Sequence, residues 1–276
     1  MGKVWLVTGG SRGLGRAVVE EVLAAGNDVV ASARNVDSLK DLDERYGDRL
    51  VRFPLDVTEP AQAEATVAAA VERFGRLDVV VNNAGYANMT SVEEVDLADF
   101  RAQVETVFFG TVHVTKAALP VFLAQRSGHF VQVTSVGGRG TAPGISAYQS
   151  AKFATEGFSG VLNDEVSGLG IKVTMAEPGL MRTDWSGPSM EIRSYKPEYE
   201  PTMGPLIEHL RSKRGIEPID PAAVARVFLQ VVEMAEPPLH LVLGSDAVGL
   251  MRTGMAKLMA EDERWAELGR SVDFAS

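Results

Sequence analysis

Cysteine is absent from the 276-residue sequence. Its absence excludes disulfides, thiolate metal sites and cysteine nucleophiles, and it fits a reducing compartment. Histidine is scarce, and the four residues show no pairing at metal-ligand spacing, which favours ordinary surface or packing roles. These are His113, His129, His209 and His240. We therefore predict no metal site and a cytoplasmic location.

Positive charge and long apolar runs are also in short supply. The formal net charge of −10 argues against nucleic acid or an anionic membrane as a general partner, although local basic residues can still hold a phosphate. The first apolar run stops at Gly9 and Gly10 without a signal-peptide pattern. No other run reaches the roughly 18 residues that a membrane-spanning helix needs. We expect a soluble protein that acts on a small molecule.

Short β-branched runs alternate with longer helical patterns along most of the chain. Strands are predicted at residues 4–8, 28–32, 50–55, 78–82, 129–133, 171–175 and 239–243, and helices at 16–25, 60–74, 100–125, 147–168 and 221–234. Helices of this length allow the crossovers that join parallel strands. The pattern predicts one α/β domain over residues 1–276, with a doubly wound parallel β-sheet (a Rossmann fold) of about seven strands flanked by helices.

Residues 180–220 break this alternation because they are rich in proline, serine, methionine and aromatic residues. An irregular segment of this length is usually a substrate-binding loop or lid, or else disordered. Its large apolar residues could line a pocket for a bulky hydrophobic or aromatic substrate, or could pack against the body of the protein. They are Trp185, Met190, Tyr195, Tyr199 and Met203. Residues 246–276 are predicted to form a C-terminal helical extension.

A glycine-rich turn, Thr8-Gly9-Gly10-Ser11-Arg12-Gly13-Leu14-Gly15, follows the first predicted strand and precedes a helix. Glycines there let the backbone approach a pyrophosphate, and the helix N-terminus offers free N–H groups to it. An ordinary strand-to-helix turn is the alternative, but the position in the chain is the one that a dinucleotide site requires. We predict that this turn binds a dinucleotide.

The residues after the second strand bear on which dinucleotide is bound. Arg34 stands where NAD-binding proteins place a carboxylate, and Arg12 in the turn supplies a second cation. Guanidinium groups suit the extra phosphate of NADP. NADP(H) is favoured, although Asp37 lies close enough in sequence to keep NAD(H) open, and both arginines could be solvated surface charges.

A serine, a tyrosine and a lysine suggest acid/base chemistry at the same edge of the sheet. Ser135 follows the strand at 129–133, and Tyr148 and Lys152 lie four residues apart on the next helix, hence on one face. A free tyrosine has a pKa of about 10. A neighbouring ammonium, aided by the positive charge of an oxidised nicotinamide, is expected to lower the pKa of Tyr148, so that it acts as acid and base while Ser135 orients the substrate oxygen.

With these motifs in order, the sequence resembles the short-chain dehydrogenase/reductase family over roughly residues 3 to 185. Asp56-Val57, Asn82-Asn83-Ala84-Gly85 and Pro178-Gly179 with Thr183 match further motifs of that family. The resemblance implies that Lys152 also holds the nicotinamide ribose, and that the chain assembles as a homodimer or homotetramer. The expected cofactor contacts are Gly9, Ser11, Arg12, Gly13, Leu14, Gly15, Arg34, Asp56, Val57, Asn82, Ala84, Gly85, Tyr148, Lys152, Pro178, Gly179, Met181 and Thr183.

One position departs from the family pattern. Val107 stands where the family usually has a catalytic asparagine, three residues before Gly110. Valine cannot hydrogen-bond the water that links the lysine to solvent in the family, so the resemblance implies slower or differently gated proton exchange. Thr106 or Glu105 could compensate, although adjacent helical residues point in different directions.

The expected function is an NADP(H)-dependent oxidoreductase that moves hydride between the nicotinamide and a ketone or secondary alcohol. A non-redox cyclase or isomerase that uses Tyr148 only as an acid/base is an alternative, and the valine at position 107 is the reason to consider it. A binding module that senses nucleotide redox state is a third reading, and Ser135, Tyr148 and Lys152 speak against it. The fold alone does not choose between these three functions.

Overall fold

The computed structural model describes residues 2–183 and 190–274. Nine strands lie in this part of the chain: β1 (Val4–Thr8), β2 (Asp28–Ala33), β3 (Leu50–Pro54), β4 (Val79–Asn82), β5 (Ala87–Met89), β6 (Gly128–Val133), β7 (Ile171–Pro178), β8 (Met190–Ile192) and β9 (His240–Leu243). The helices there are α1 (Gly13–Ala24), α2 (Lys40–Tyr46), α3 (Pro60–Phe74), α4 (Leu97–Val104), α5 (Gly110–Gln125), α6 (Ser146–Val166), α7 (Glu200–Lys213), α8 (Pro221–Glu233) and α9 (Ser245–Arg270).

The main sheet has seven parallel strands in the order β3-β2-β1-β4-β6-β7-β9. The predicted doubly wound α/β fold is confirmed, and each of the seven predicted strands is present. The chain runs outward from β1 to β3 and then returns to place β4 on the other side of β1. Loops after β1 and β4 therefore diverge at the carboxyl edge of the sheet, which is where such folds bind ligands.

Both faces of the sheet are covered, because its strands are buried on both sides. One core cluster joins α1 and α8 to the sheet through residues such as Val18, Val22 and Phe228. The second joins α3, α5 and α6 to the other face through residues such as Val67 and Phe122. Near-continuous apolar strands are what a parallel sheet between two helical layers requires.

The long apolar helix that the sequence predicts over residues 100–125 is one continuous helical stretch, but it is not uniform. A π-helical turn at Glu105–Phe109 joins α4 to α5. By length and composition alone, residues 97–125 could cross a membrane. In this fold the stretch buries Val114, Ala118 and Phe122 against the sheet.

The irregular structure predicted for residues 180–220 is wrong for much of that segment. Strand β8 pairs in parallel with β5 as a separate two-stranded sheet, and α7 occupies fourteen residues. Composition concealed this helix because its two prolines, at positions 201 and 205, normally interrupt helical patterns. Pro201 lies in the first turn, where the missing N–H costs nothing, and burial of Met203, Ile207 and Leu210 stabilises the remainder.

Phe122 tests the packing of the second core cluster. Its ring is fully buried, with its centroid 4.7 Å from that of Phe130. It also lies on Gly128, where an added Cβ would come within 2.1 Å of the ring. We expect Phe122→Ala to lower the free energy of unfolding in a urea titration by about 3–5 kcal/mol. The control is Val92, which is exposed and lies outside the core clusters, and Val92→Ala should stay within about 0.5 kcal/mol of wild type.

His129 makes stability depend on pH. Burial, aided by the positive charges of Lys172 and Lys3, lowers the pKa of His129 to about 3, and its Nε2 pairs with the Thr174 hydroxyl at 3.0 Å. The unfolded chain takes up a proton near pH 6.5, so it binds more protons than the folded chain between these values. The His129 contribution is therefore fully present above pH 6.5 and is lost as the pH falls towards 3.

Urea titrations between pH 6.5 and 5 should show this contribution. We expect the wild type to lose up to about 1.4 kcal/mol of stability per pH unit beyond the loss in His129→Gln. His209→Gln, at an exposed position, should keep the wild-type slope. Identical slopes for wild type and His129→Gln would show that the folded state protonates His129 as readily as the unfolded chain does.

Candidate active site

Three consecutive residues at the end of β6 organise the acid/base group. Val133 accepts a hydrogen bond from the Lys152 Nζ at 2.6 Å, and the Thr134 hydroxyl donates to the Ala176 carbonyl of β7 at 3.1 Å. Ser135 lies two residues beyond the end of the strand, and its hydroxyl accepts a bond from the Gly137 N–H at 3.0 Å. The hydroxyl of Ser135 also hydrogen-bonds the phenol of Tyr148. Ser135, Tyr148 and Lys152 are thereby brought together, as the sequence predicts.

The electrostatics of the pair differ from the expectation. The Lys152 ammonium lies 5.7 Å from the centroid of the Tyr148 ring, and both residues are buried. Burial raises the pKa of Tyr148 to about 12, and the Ser135 hydrogen bond only partly opposes it. Burial also lowers the pKa of Lys152 to about 8, against the attraction of Glu156. In the protein alone the pKa of Tyr148 is therefore raised and not lowered, because desolvation outweighs the Ser135 hydrogen bond.

The glycine-rich turn lies at the same edge of the sheet. Gly9 and Gly13 adopt positive φ angles of 64° and 54°, which favour glycine. A Cβ on Gly15 would come within 2.2 Å of the Gly9 carbonyl oxygen, so the turn packs tightly on the start of α1. Helix α1 begins at Gly13 without a side-chain cap on its first N–H groups. These groups are available to an anion at the positive end of the helix.

Asn83 links the turn to β4 and was not among the predicted contacts. Its backbone N–H donates to the Thr8 hydroxyl at 2.9 Å, and its side-chain Nδ2 donates to the Thr8 carbonyl at 2.9 Å. The predicted contact Asn82 instead bonds Thr115 and Gln132 inside the protein, at 3.1 and 2.9 Å. Asn83 and not Asn82 faces the turn because adjacent side chains along an extended chain point to opposite sides.

A cleft of about 730 Å³ joins the turn to the acid/base group. It is lined by the predicted residues Gly9, Ser11, Arg12, Gly13, Leu14, Arg34, Asp56, Val57, Ala84, Gly85, Ser135, Tyr148, Lys152, Pro178, Gly179, Met181 and Thr183. Residues that the sequence did not predict also line it: Ala33, Leu55, Thr58, Asn83, Tyr86, Asn88, Ala102, Thr106, Val133, Thr134 and Glu191. The predicted contacts Asn82 and Gly15 are buried and do not line the cleft.

The cations and acids around the cleft fall into two groups. Arg12 and Arg34 line it, are exposed, and have no ion-pair partner among residues 2–183 and 190–274. Asp37 is turned to Lys40, with 2.9 Å between the charged atoms. Asp56 accepts bonds from the Thr58 N–H and hydroxyl at 3.0 and 2.7 Å, which fixes the loop after β3.

Val107 lies in the π-helical turn and is almost fully buried, in one apolar cluster with Tyr148 and Ala151. Its carbonyl accepts the Thr111 hydroxyl at 3.0 Å. Of the two neighbours that could replace a polar side chain here, Thr106 lines the cleft and Glu105 is exposed outside it. Position 107 therefore adds only an apolar side chain to the cluster that contains Tyr148.

Four of the large apolar residues that the sequence analysis named in the 180–220 segment do not line this cleft. Met190 and Met203 are buried in the cluster that contains Tyr148 and β5. Tyr195 and Tyr199 lean on that cluster, while their hydroxyls bond Glu200 and Glu93 at 2.8 and 2.9 Å. Packing against the body is thus what these four residues do, because it removes their apolar surface from water. Trp185 lies outside the described residues.

The geometry fits a dinucleotide. The glycines leave an open approach to uncapped N–H groups. Two cations border the end of the cleft beyond β2, where the adenosine is expected. Ser135, Tyr148 and Lys152 stand at the other end of the same cleft. Such a cleft can bind an extended anionic ligand and hold a proton donor beside its far end.

Comparison with known proteins agrees with this arrangement. Residues 3–193 match the model of the short chain dehydrogenase family. The chain is 48% identical over 269 residues to the oxidoreductase BOA17 of Botryotinia fuckeliana, covering 97% of this chain and 98% of that one. A short-chain dehydrogenase from Streptomyces avermitilis has 37% identity and a TM-score of 0.91, covering 99% of this chain and 100% of that one.

A structure of serine dehydrogenase complexed with NADP+ is more distant. It has 25% identity and a TM-score of 0.76, covering 87% of this chain and 94% of that one. The matched residues include the glycine-rich turn and the Ser135, Tyr148 and Lys152 group on one Rossmann-type sheet. The chain belongs to the short-chain dehydrogenase/reductase family of oxidoreductases.

Proposed function

We propose that the protein transfers hydride between NADP(H) and a ketone or secondary alcohol. The observation that carries the proposal is the single cleft that holds the glycine-rich turn, two cations and the group of Ser135, Tyr148 and Lys152. A polar group at the reacting end and phosphate-binding features at the other are the two parts that such a reaction needs.

The roles follow from the contacts. When bound, the nicotinamide supplies the hydride and, in its oxidised form, a positive charge near the phenol. Tyr148 transfers the proton to or from the substrate oxygen, which Ser135 orients by a second hydrogen bond. Lys152, held by the Val133 carbonyl, would bind the nicotinamide ribose. The charge of Lys152 and the charge of the oxidised nicotinamide would both lower the pKa of Tyr148, because both oppose the effect of burial.

NADP(H) is the proposed cofactor because the cations near the end of β2 are free to bind its extra phosphate. Arg12 and Arg34 line the cleft, whereas Asp37 lies outside its lining and pairs with Lys40. A carboxylate aimed at the ribose hydroxyls would favour NAD(H) instead. The serine dehydrogenase with a similar fold was solved with NADP+.

The substrate that we propose is a bulky hydrophobic or aromatic carbonyl compound or the matching alcohol. Support comes from the apolar surfaces of Tyr86, Ala102 and Met181 in the cleft lining.

We also propose that the chain forms a homodimer or homotetramer, because α5 and α6 carry exposed apolar side chains. They include Leu123, Phe153 and Val161.

A non-redox cyclase or isomerase is the second candidate, and Val107 is the observation that favours it. A buried valine beside Tyr148 offers no polar group for proton exchange, and a reaction that returns its proton to the substrate needs little exchange with solvent. Turnover of substrate without net change in the cofactor would support this candidate.

Tyr148→Phe tests the acid/base assignment. We expect kcat for ketone reduction to fall by about 10²–10⁴-fold, the usual contribution of a positioned acid, while NADPH binding measured by fluorescence quenching stays unchanged. Tyr46→Phe removes the same hydroxyl from α2, away from the cleft lining, and should turn over at the wild-type rate. A Tyr148→Phe enzyme that still reduces the substrate panel would overturn the assignment.

Arg34→Ala tests the cofactor assignment. Loss of one charge-assisted contact of about 1.5–3 kcal/mol should weaken NADPH binding by about 10- to 100-fold, and NADH binding should change little. The control is Arg264→Ala, because that guanidinium stacks on Trp265 in α9, 5.0 Å from the ring centroid. Equal weakening of both cofactors would contradict a contact with the extra phosphate.

A further inference from the structure

A cluster of charged side chains lies beside Lys152, outside the cleft lining. Glu156 follows Lys152 by one turn of α6, so Tyr148, Lys152 and Glu156 share one buried face of that helix. Glu177 comes from β7 and His240 from the neighbouring strand β9. Ligand atoms of Glu156, Glu177 and His240 all lie within 4.8 Å of one another. The sequence does not reveal this cluster, because its histidine lies far along the chain from its two carboxylates.

Each member of the cluster has a defined contact. The His240 Nδ1 lies 2.7 Å from Glu177 Oε1 and 3.5 Å from Glu156 Oε2. Arg139 donates to Glu177 through Nε at 2.9 Å and also through its second guanidinium nitrogen. Glu177 is fully buried, Glu156 is 8% exposed, and the side chain of His240 is 42% exposed. The cluster thus runs from a buried carboxyl, one helical turn beyond Lys152, to the solvent.

The arrangement suits a proton better than a metal ion. Arg139 already gives Glu177 a positive partner in the place where a cation would be needed. Neither oxygen of Glu156 has a hydrogen bond of normal geometry among the described residues. The nearby Thr134 hydroxyl still lowers the pKa of this carboxyl, in opposition to burial. A buried carboxyl in this state can accept or release a proton without breaking a strong bond.

We propose that Glu156 and His240 form a proton pathway between Lys152 and the solvent. They are positioning residues that act through Lys152, while Arg139 and Glu177 hold His240 in place. The pathway serves the proposed hydride transfer and rests on that function. It would supply the proton exchange that the apolar side chain of Val107, in the cluster that contains Tyr148, does not support.

The proton balance is one proton per turnover. In the reducing direction the Tyr148 O–H bond breaks and its proton joins the substrate oxygen. The Lys152 ammonium then gives a proton to the phenolate. The Glu156 carboxyl, which has no direct hydrogen bond to Lys152 in the described part of the chain, gives a proton to the Lys152 amine through a bridging water. His240 passes a proton from solvent to the Glu156 carboxylate. No electrons move in these steps, and alcohol oxidation runs them in reverse.

The charges around Glu156 support easy transfer. Burial raises the pKa of Glu156 and the negative charge of Glu177 adds to it, against the effects of Thr134, His240 and Arg139. Burial lowers the pKa of Lys152 to about 8. The two groups are thereby brought closer in acidity, which lowers the free-energy cost of passing a proton between them.

Glu156→Gln is the principal test, because glutamine keeps the packing against Gly138 but cannot carry the proton. We expect kcat to fall by about 10- to 100-fold, at the lower end of acid/base contributions, with KM and NADPH affinity unchanged. The solvent deuterium isotope effect on kcat should rise, and the isotope effect of deuterated NADPH should fall. Glu165→Gln, on the exposed side of the same helix, should match wild type.

His240→Ala tests the solvent end. Its kcat should fall in the same way and should recover when imidazole is added to the buffer. His209→Ala, an exposed histidine on α7, should need no rescue. Wild-type kcat and isotope effects in both Glu156→Gln and His240→Ala would overturn the proposal.

A measurement without turnover separates this proposal from the proposed function. Lys152 lines the cleft, so its acylation by acetic anhydride can be followed against pH by mass spectrometry. Because the Glu156 charge raises the pKa of Lys152, that pKa should drop in Glu156→Gln and stay unchanged in Glu165→Gln. A wild-type enzyme inactive on every ketone would reject the proposed function, whereas an unshifted Lys152 pKa would reject the pathway.

Discussion

The hydrogen bond from the Lys152 ammonium to the Val133 carbonyl is the contact on which the candidate active site depends. It fixes α6 against the carboxyl end of β6 and so sets Tyr148 opposite Ser135. It also holds a cation where little water reaches it, which lowers the pKa of Lys152. A buried ammonium requires a nearby partner, and the Val133 carbonyl supplies it, while the charge of Glu156 on the same helix face opposes the effect of burial on the pKa.

The same constraint explains how polar groups are distributed around Tyr148. The π-helical turn adds Val107 to the apolar cluster that contains Tyr148, Ala151 and residues of β5. Separately, α6, β7 and β9 bring the charged groups of Glu156, Glu177 and His240 together. The proposed proton pathway therefore uses the charged cluster and not position 107.

The sheet was predictable because its strands are buried on both faces, so their β-branched runs are unbroken and their lengths are well marked. Helix α7 was not, because Pro201 and Pro205 resemble loop punctuation, and tertiary burial of Met203 and Ile207 decides its structure. At the end of β4 the sequence does not show which of two adjacent asparagines faces the cleft. Asn82 and Asn83 have the same chemistry, and only the orientation of the strand determines that Asn83 faces the cleft.

By itself, the sequence determined the order of strands and helices, the glycine-rich turn, and the residues Ser135, Tyr148 and Lys152, because local spacing and backbone requirements are written in consecutive residues. Only the tertiary structure decided which charges meet. Glu156, Glu177 and His240 are separated along the chain and converge because β7 and β9 are neighbours beside α6. The direction of the Tyr148 pKa shift was decided in the same way, since desolvation depends on everything that packs around a side chain and not on its sequence neighbours.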